Sequence, residues 1–268
     1  MTLESAFPRH PLDRWLRTEQ LPSVYCAGCG IGTILGSYLR ALEKLNAWDR
    51  VVTVSGIGCA GRASGYIKTD GFHTTHGRAI PFAFGVKTTN PELEVVVISG
   101  DGDLFSIGGN HFIHAARRNL DMTVICVNNF TYGMTGGQTA PTTPEGAKTT
   151  TTPKGASLKP FNLAHLAVGA GAVYVARYAF NQQTLLTRAI AKGIQKDGLA
   201  FIEVVSICPT LFGKQNRLNI TEMYQQIKAR TVKLTEEEKE KPRLAPIEFE
   251  PEKGKGYQRI PVGEFVDI

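Results

Sequence analysis

The sequence predicts an α/β fold built on a doubly wound, mainly parallel sheet. Three observations carry this reading. Short β-branched runs recur along the chain, bounded by glycine and polar residues. Helical stretches separate successive runs, as crossovers between parallel strands require. The runs are apolar throughout rather than alternating, which marks strands covered on both faces.

The elements follow in order. Residues 1–24 read as an irregular arm. Ile31, Ile34, Leu35, Tyr38, Leu39, Leu42 and Leu45 recur at helical spacing and predict a helix over 30–46. "VVTVS" (51–55) is the first buried strand, and "GRAIPFAFGVKTT" (77–89) is a helix after Pro81. "EVVVIS" (94–99), the helix "GGNHFIHAARRN" (108–119) and the strand "MTVICVN" (122–128) come next. Residues 132–160 are rich in Thr, Gly, Pro and Lys without periodicity, and a loop of that length is functional or interfacial. "NLAHLAVGAGA" (162–172) is a helix leading to the strand "VYVARY" (173–178). An amphipathic helix over 181–197 leads to the strand "LAFIEVVS" (199–206). Residues 25–220 thus form one domain, and 221–268 a C-terminal helix and extended tail. Within that tail, 235–256 is charged, carries three prolines and reads as solvated.

The bulk properties narrow the function classes. The 268 residues are 42% hydrophobic and 20% charged, ordinary for a globular protein with a sizeable core. The net charge of +6 is scattered, with no basic block, which favours anionic small molecules or an acidic partner over nucleic acid. The opening "MTLESAFPRHPLDRWLRTEQ" has no apolar signal region, and no apolar run is long enough to span a membrane. A cytoplasmic protein is expected. Its five cysteines then read as metal ligands or buried thiols rather than a disulfide framework.

Four segments that carry chemistry follow strands: "GIGCAGR" (56–62), "GDGD" (100–103), "NNFTYGMTGGQ" (128–138) and "ICPT" (207–210). Ligands of open α/β sheets bind outside the carboxyl ends of the strands, so these segments should meet in one crevice. Residues 103–127 separate GDG from NN, enough for one helix and one strand, which returns the two motifs side by side. A carboxylate and an amide oxygen there are hard ligands suited to Mg²⁺, which completes its octahedron with phosphate oxygens. The glycines and the following helix N-terminus favour a diphosphate. Alternation along a strand sends the Asn128 and Asn129 side chains to opposite faces, so one of them serves.

Cys26-x-x-Cys29 is open to three readings: zinc, a redox pair or an iron–sulfur cluster. Zinc normally asks for a second close Cys or His pair, which the chain lacks. A redox pair would follow a strand, and "RTEQLPSVY" is a poor one. Cys59 and Cys208 both lie at strand ends, and four thiolates converging there fit a 4Fe–4S cluster. Cys126, in mid-strand, reads as a core thiol. A zinc-stabilised binding module without catalysis stays open at this point.

GDG followed by NN resembles the thiamine-diphosphate and Mg²⁺ motif of thiamine-dependent enzymes. "CAGCGIG", "SGIGCAGR", "GFHTTHGRAIPFAFGVK", "SGDGDLFSIGGNHFIHAARRN" and "NNFTYGMTGGQTAPTT" resemble the β subunit of 2-oxoacid:ferredoxin oxidoreductases over about residues 20–215, most nearly those acting on 2-oxoglutarate. The resemblance implies a sheet of the diphosphate-domain type. It implies that Asp101 and Asn129 give side-chain oxygens to Mg²⁺, and Thr131 its carbonyl. It draws the thiamine diphosphate cradle from Ile57, Gly58, Cys59, Ala60, His76, Gly100, Asp101, Gly102, Asp103, Asn129, Thr131, Gly133 and Met134, with Met134 under the thiazolium. It assigns Cys26, Cys29, Cys59 and Cys208 to the 4Fe–4S cluster. Arg62 and His76 become catalytic candidates facing substrate or phosphate, although some relatives carry lysine at the position of Arg62. Asn110 and His111 either reach the diphosphate or pack their helix.

The implied activity is oxidative decarboxylation of a 2-oxoacid with coenzyme A to an acyl-CoA and carbon dioxide, or its reverse, with electrons passed to ferredoxin. The implied assembly is a heterodimer, or a dimer of heterodimers, with an α subunit carrying the pyrimidine-binding half. The 132–160 loop and the charged tail are candidates for that interface. A branched-chain or broad-range 2-oxoacid, and a non-redox thiamine-dependent decarboxylase subunit, are the alternatives.

Overall fold

The computed structural model describes residues 10–252 and 255–268; the expectations for residues 1–9 of the arm and for 253–254 lie outside them. Elements run along the chain as α1 (Ile31–Leu45), β1 (Val51–Ser55), α2 (Ala63–Tyr66), β2 (Asp70–His73), α3 (Ala79–Thr89), β3 (Glu94–Gly100), α4 (Gly109–Arg117) and β4 (Met122–Asn128). The small hairpin β5 (Thr131–Tyr132) and β6 (Gln138–Thr139) follows, then α5 (Leu163–Ala170), β7 (Tyr174–Ala179), α6 (Gln183–Ile194) and β8 (Leu199–Val205). The C-terminal part supplies α7 (Ile220–Arg230), β9 (Thr231–Lys233), α8 (Glu236–Glu240), β10 (Glu248–Glu250) and β11 (Gly256–Asp267).

Among the described residues, the main sheet has the order β10-β11-β7-β8-β4-β3-β1-β2, with β9 paired to β11. The six strands from β7 to β2 are parallel, and β11 joins β7 antiparallel. Neighbouring residues of one strand feed different cores: Val96 and Ile98 pack in the cluster containing α1 and α6, Val95 and Val97 in the other. That is the doubly wound arrangement the apolar runs predicted. The predicted stripe of α1 is inside from Ile31 to Leu42, and the helix ends at Asn46 in the left-handed region.

Three readings change. β2 escapes the sequence pattern because an exposed edge strand lacks the apolar run that marks a buried one. α3 begins at Ala79, with Pro81 inside its first turn, where the missing N–H is no loss. Residues 235–252 and 255–256, within the stretch read as solvated, are folded instead. Thr235 and Glu238 form a reciprocal capping box at α8, and Glu238 also pairs with Arg259 of β11. Ala245, Tyr257 and Ile260 are fully buried. The charges of this segment find partners at short range and the apolar residues find a sheet edge, neither of which local composition reports.

Candidate active site

The ends of β1, β3 and β4 open into one cleft. Ile57, Gly58, Cys59 and Ala60 line it from the loop after β1, and His76 from the turn before α3. Gly100, Asp101, Gly102 and Asp103 line it after β3, and Asn129, Thr131, Gly133 and Met134 after β4. Val127, Tyr132 and Thr135 line it as well, without a distinguishing signal in the sequence. Tyr132 braces the GDG turn. Its hydroxyl donates to the Gly102 carbonyl at 3.1 Å, and its ring lies where a Cβ on Gly102 would come within 2.4 Å. A side chain at Gly102 is therefore excluded. Gly58, at φ +85, has open space where a side chain would project.

The two acidic residues of GDGD differ in kind. Asp101 is only 1% exposed, and one carboxylate oxygen accepts from Thr142 Oγ1. Burial pushes its carboxyl up to about 7, against the opposing effect of the Thr142 bond and of neighbouring backbone N–H groups. A carboxylate so desolvated asks for a cation, and Mg²⁺ with phosphate oxygens fits it. Asp103 lines the cleft, yet both of its oxygens are engaged. They accept from Ser99 Oγ at 2.8 Å, Gly77 N–H at 2.7 Å and Ile57 N–H at 3.3 Å. Asp103 thus ties the loops at Ile57 and Gly77 to the end of β3.

The NN pair divides as strand alternation requires. Asn128 Nδ2 donates to Glu203 Oε1 at 2.7 Å, away from the cleft. Asn129 faces the cleft and is almost fully buried. Thr131 Oγ1 donates to the Gln138 carbonyl at 2.8 Å, so its side chain is engaged within the hairpin. Met134 is 48% exposed at the cleft wall, an apolar side chain left uncovered where a ligand would rest. Thr142 was not foreseen. It lies in the aperiodic 132–160 loop, where several threonines look alike in sequence.

Arg62 is exposed and does not line the cleft, nor do Asn110 and His111. Burial and the nearby Arg78 and His114 hold the His111 imidazole below its usual range.

The four cysteines gather beside this cleft. Sγ of Cys208 and Sγ of Cys59 would lie 3.4 Å and 3.6 Å from a Cβ built on Gly133. Burial pushes the Cys29 thiol up to about 11, and Cys59, Cys208 and Cys26 add repulsion. Burial raises Cys59 and Cys208 likewise, with Cys26 a repulsive neighbour of both. Cys29 immediately precedes the N-terminus of α1, which favours negative charge. Among the described residues no three His, Cys, Asp or Glu side chains gather closely enough for a single metal ion. Four sulfur donors drawn together at one end of the sheet are the donor set that a 4Fe–4S cluster takes. Cys126 is buried in β4, as expected of a core thiol.

Fold and cleft together define a thiamine-diphosphate-binding domain. The family model described as "Thiamine pyrophosphate enzyme, C-terminal TPP binding domain" matches residues 56–204. A 2-oxoglutarate synthase subunit KorB from Methanothermobacter thermautotrophicus is 47% identical, over 96% of this chain and 87% of its own length. The corresponding subunit from Archaeoglobus fulgidus is 54% identical over 73% of each chain. The β subunit of a 2-oxoacid:ferredoxin oxidoreductase from Saccharolobus solfataricus is 42% identical over 85% of this chain and 72% of its own. A solved 2-oxoglutarate:ferredoxin oxidoreductase from Magnetococcus marinus, with 2-oxoglutarate, coenzyme A and succinyl-CoA bound, superposes with a TM-score of 0.80. It is 29% identical and covers 98% of this chain and 87% of that one. The chain belongs to the family of 2-oxoacid:ferredoxin oxidoreductase β subunits, as the motifs resembled. No helix among the described residues is long and apolar enough to cross a membrane.

Proposed function

We propose that this chain, with an α subunit, converts 2-oxoglutarate and coenzyme A to succinyl-CoA and carbon dioxide in the cytoplasm, passing two electrons through a 4Fe–4S cluster to ferredoxin. Thiamine diphosphate, when bound, supplies an electron sink for loss of carbon dioxide, and the cluster supplies one-electron acceptance. The rest is the work of the chain. Asp101, Asn129 and the Thr131 carbonyl would hold Mg²⁺ on the diphosphate. Thr142 orients the Asp101 carboxylate by occupying one of its oxygens. Asp103 and Tyr132 hold the surrounding loops at the approach distance that the glycines permit. Met134 would support the ring system from below. His76 faces the cleft and would meet phosphate or substrate, while Arg62, outside it, would meet an incoming carboxylate at the mouth. Cys26, Cys29, Cys59 and Cys208 would hold the cluster. The α subunit would supply the pyrimidine half of the cofactor site.

One observation carries the reading: Cys59 lines the same cleft as Asp101 and Asn129. A single loop would then serve both the cofactor and the cluster, as electron transfer at short range requires. The substrates bound to the Magnetococcus marinus structure support 2-oxoglutarate and coenzyme A. The test is anaerobic viologen reduction by the purified complex with coenzyme A and 2-oxoglutarate, pyruvate or 2-oxoisovalerate. Highest turnover with 2-oxoglutarate is expected. Preference for 2-oxoisovalerate, or equal rates, would move the assignment to a branched-chain or broad-range enzyme. Decarboxylation without reduction, in protein lacking iron, would make it a non-redox decarboxylase.

A further inference from the structure

Phe130 stands between Asn129 and Thr131 with φ +65, a region that bulky L-residues seldom adopt. Three contacts hold it there. Its N–H donates to Asn128 Oδ1 at 3.3 Å, and its carbonyl accepts from Thr143 Oγ1 at 2.7 Å. Its buried ring packs against Phe212 and Tyr257, with centroids 5.8 Å and 5.5 Å away.

The first contact depends on which way the Asn128 amide is turned. Ionised Glu203 can only accept hydrogen bonds, so at 2.7 Å it fixes Nδ2 toward itself and leaves Oδ1 for the Phe130 N–H. The second Glu203 oxygen accepts from Arg177 Nε at 2.7 Å, and both side chains are 1% exposed. Arg177 is held in turn by the C-terminal segment: it donates to the Ala245 carbonyl at 2.8 Å and the Pro261 carbonyl at 3.4 Å, and to Asn162 Oδ1 at 2.9 Å. A connected set of bonds therefore runs from the Ala245 and Pro261 carbonyls through β7 and β8 to the turn after β4.

A buried ion pair is a weak source of stability, because apolar residues of similar volume often do as well or better. Its value here is directional.

We infer that Arg177 and Glu203 are positioning residues for the cation and diphosphate site: they lock the Asn128 amide, which holds the left-handed Phe130 turn that presents Asn129 and Thr131 to the cleft. The inference rests on the proposed reading of that cleft. The test uses the complex with its α subunit and isothermal titration with Mg²⁺ and thiamine diphosphate, alongside thermal melting. Arg177→Met/Glu203→Leu should fold and bind about 10- to 100-fold more weakly, the usual effect of losing an outer-shell partner. Arg177→Met/Glu203→Gln, which keeps an acceptor for Asn128, should recover most of that loss. Asn128→Leu should reproduce the weak binding without disturbing the ion pair, and serves if the first variant does not assemble. Native affinity in a folded Leu-bearing variant overturns the inference, as does a Gln variant no better than the Leu one. A wild-type complex that binds no Mg²⁺ and thiamine diphosphate overturns the proposed function itself, and this inference with it.

Discussion

Removal of the Thr142 hydroxyl is the sharpest single test of how the cleft prepares its carboxylate. Thr142→Val keeps the shape of a buried side chain and deletes the donor to Asp101. A hydrogen bond to a charged group contributes about 1.5–3 kcal/mol, which corresponds to roughly 10- to 150-fold in an equilibrium constant. That bond opposes the burial that raises Asp101 to about 7, so its loss raises the carboxyl further. A cation binds the ionised form, and so must displace more proton in the variant. Apparent Mg²⁺ affinity at pH 7 should therefore fall by about one to two decades. The pH dependence has a definite sign. Affinity in the wild type weakens as pH falls through about 7, and in Thr142→Val the weakening begins at higher pH. For the metal-free protein, a carboxyl raised above its unfolded value lowers stability above the unfolded pKa, so stability declines with rising pH between the unfolded value and about 7. Calorimetric titration of the complex with Mg²⁺ and thiamine diphosphate across this range reads both effects, and Thr142→Ser, which retains a hydroxyl, should behave like the wild type. A folded Thr142→Val complex with unaltered affinity and an unaltered pH profile would refute the role of this bond.

Other perturbations separate the parts of the site. Cys208→Ser should abolish the visible absorbance and electron paramagnetic resonance of a reduced cluster while leaving thiamine diphosphate binding within the native range. Gly102→Ala places a methyl group 2.4 Å from the Tyr132 ring, so thiamine diphosphate affinity should drop, and Tyr132→Ala in the same chain should partly restore it. Leu42→Ala, at a fully buried position of α1, should cost about 2–5 kcal/mol in denaturant unfolding.

The parallel core was legible because strands covered on both faces carry their signature in every residue, as "VVTVS" and "EVVVIS" do. The cleft was legible for a related reason: glycines, Asp101 and the Asn pair stand immediately after those strands, and topology brings strand ends together. What escaped is what depends on distant partners. Thr142 reaches Asp101 across 41 positions of sequence, and nothing local sets it apart from the other threonines of its loop. Asp103 was expected in the cofactor cradle, and it does line the cleft. Only the surrounding N–H and O–H groups reveal that its oxygens are occupied. The C-terminal segment looked solvated because its charges were counted without Arg259 and its Phe249 ring without Phe212 and Tyr257.

The placement of β11 has a consequence for how the protein is made. It is synthesised after all the other described strands, yet it pairs with β7, whose neighbour β8 is made earlier. A nascent chain that has already assembled its parallel strands therefore presents the free edge of β7 to the surroundings, and unpaired edges recruit other chains. Over the same interval Arg177 lacks the Pro261 carbonyl. Arrival of β11 seals the edge and brings that acceptor in one event. Ribosome-bound chains halted before Gly256 should thus be the ones that depend on chaperones.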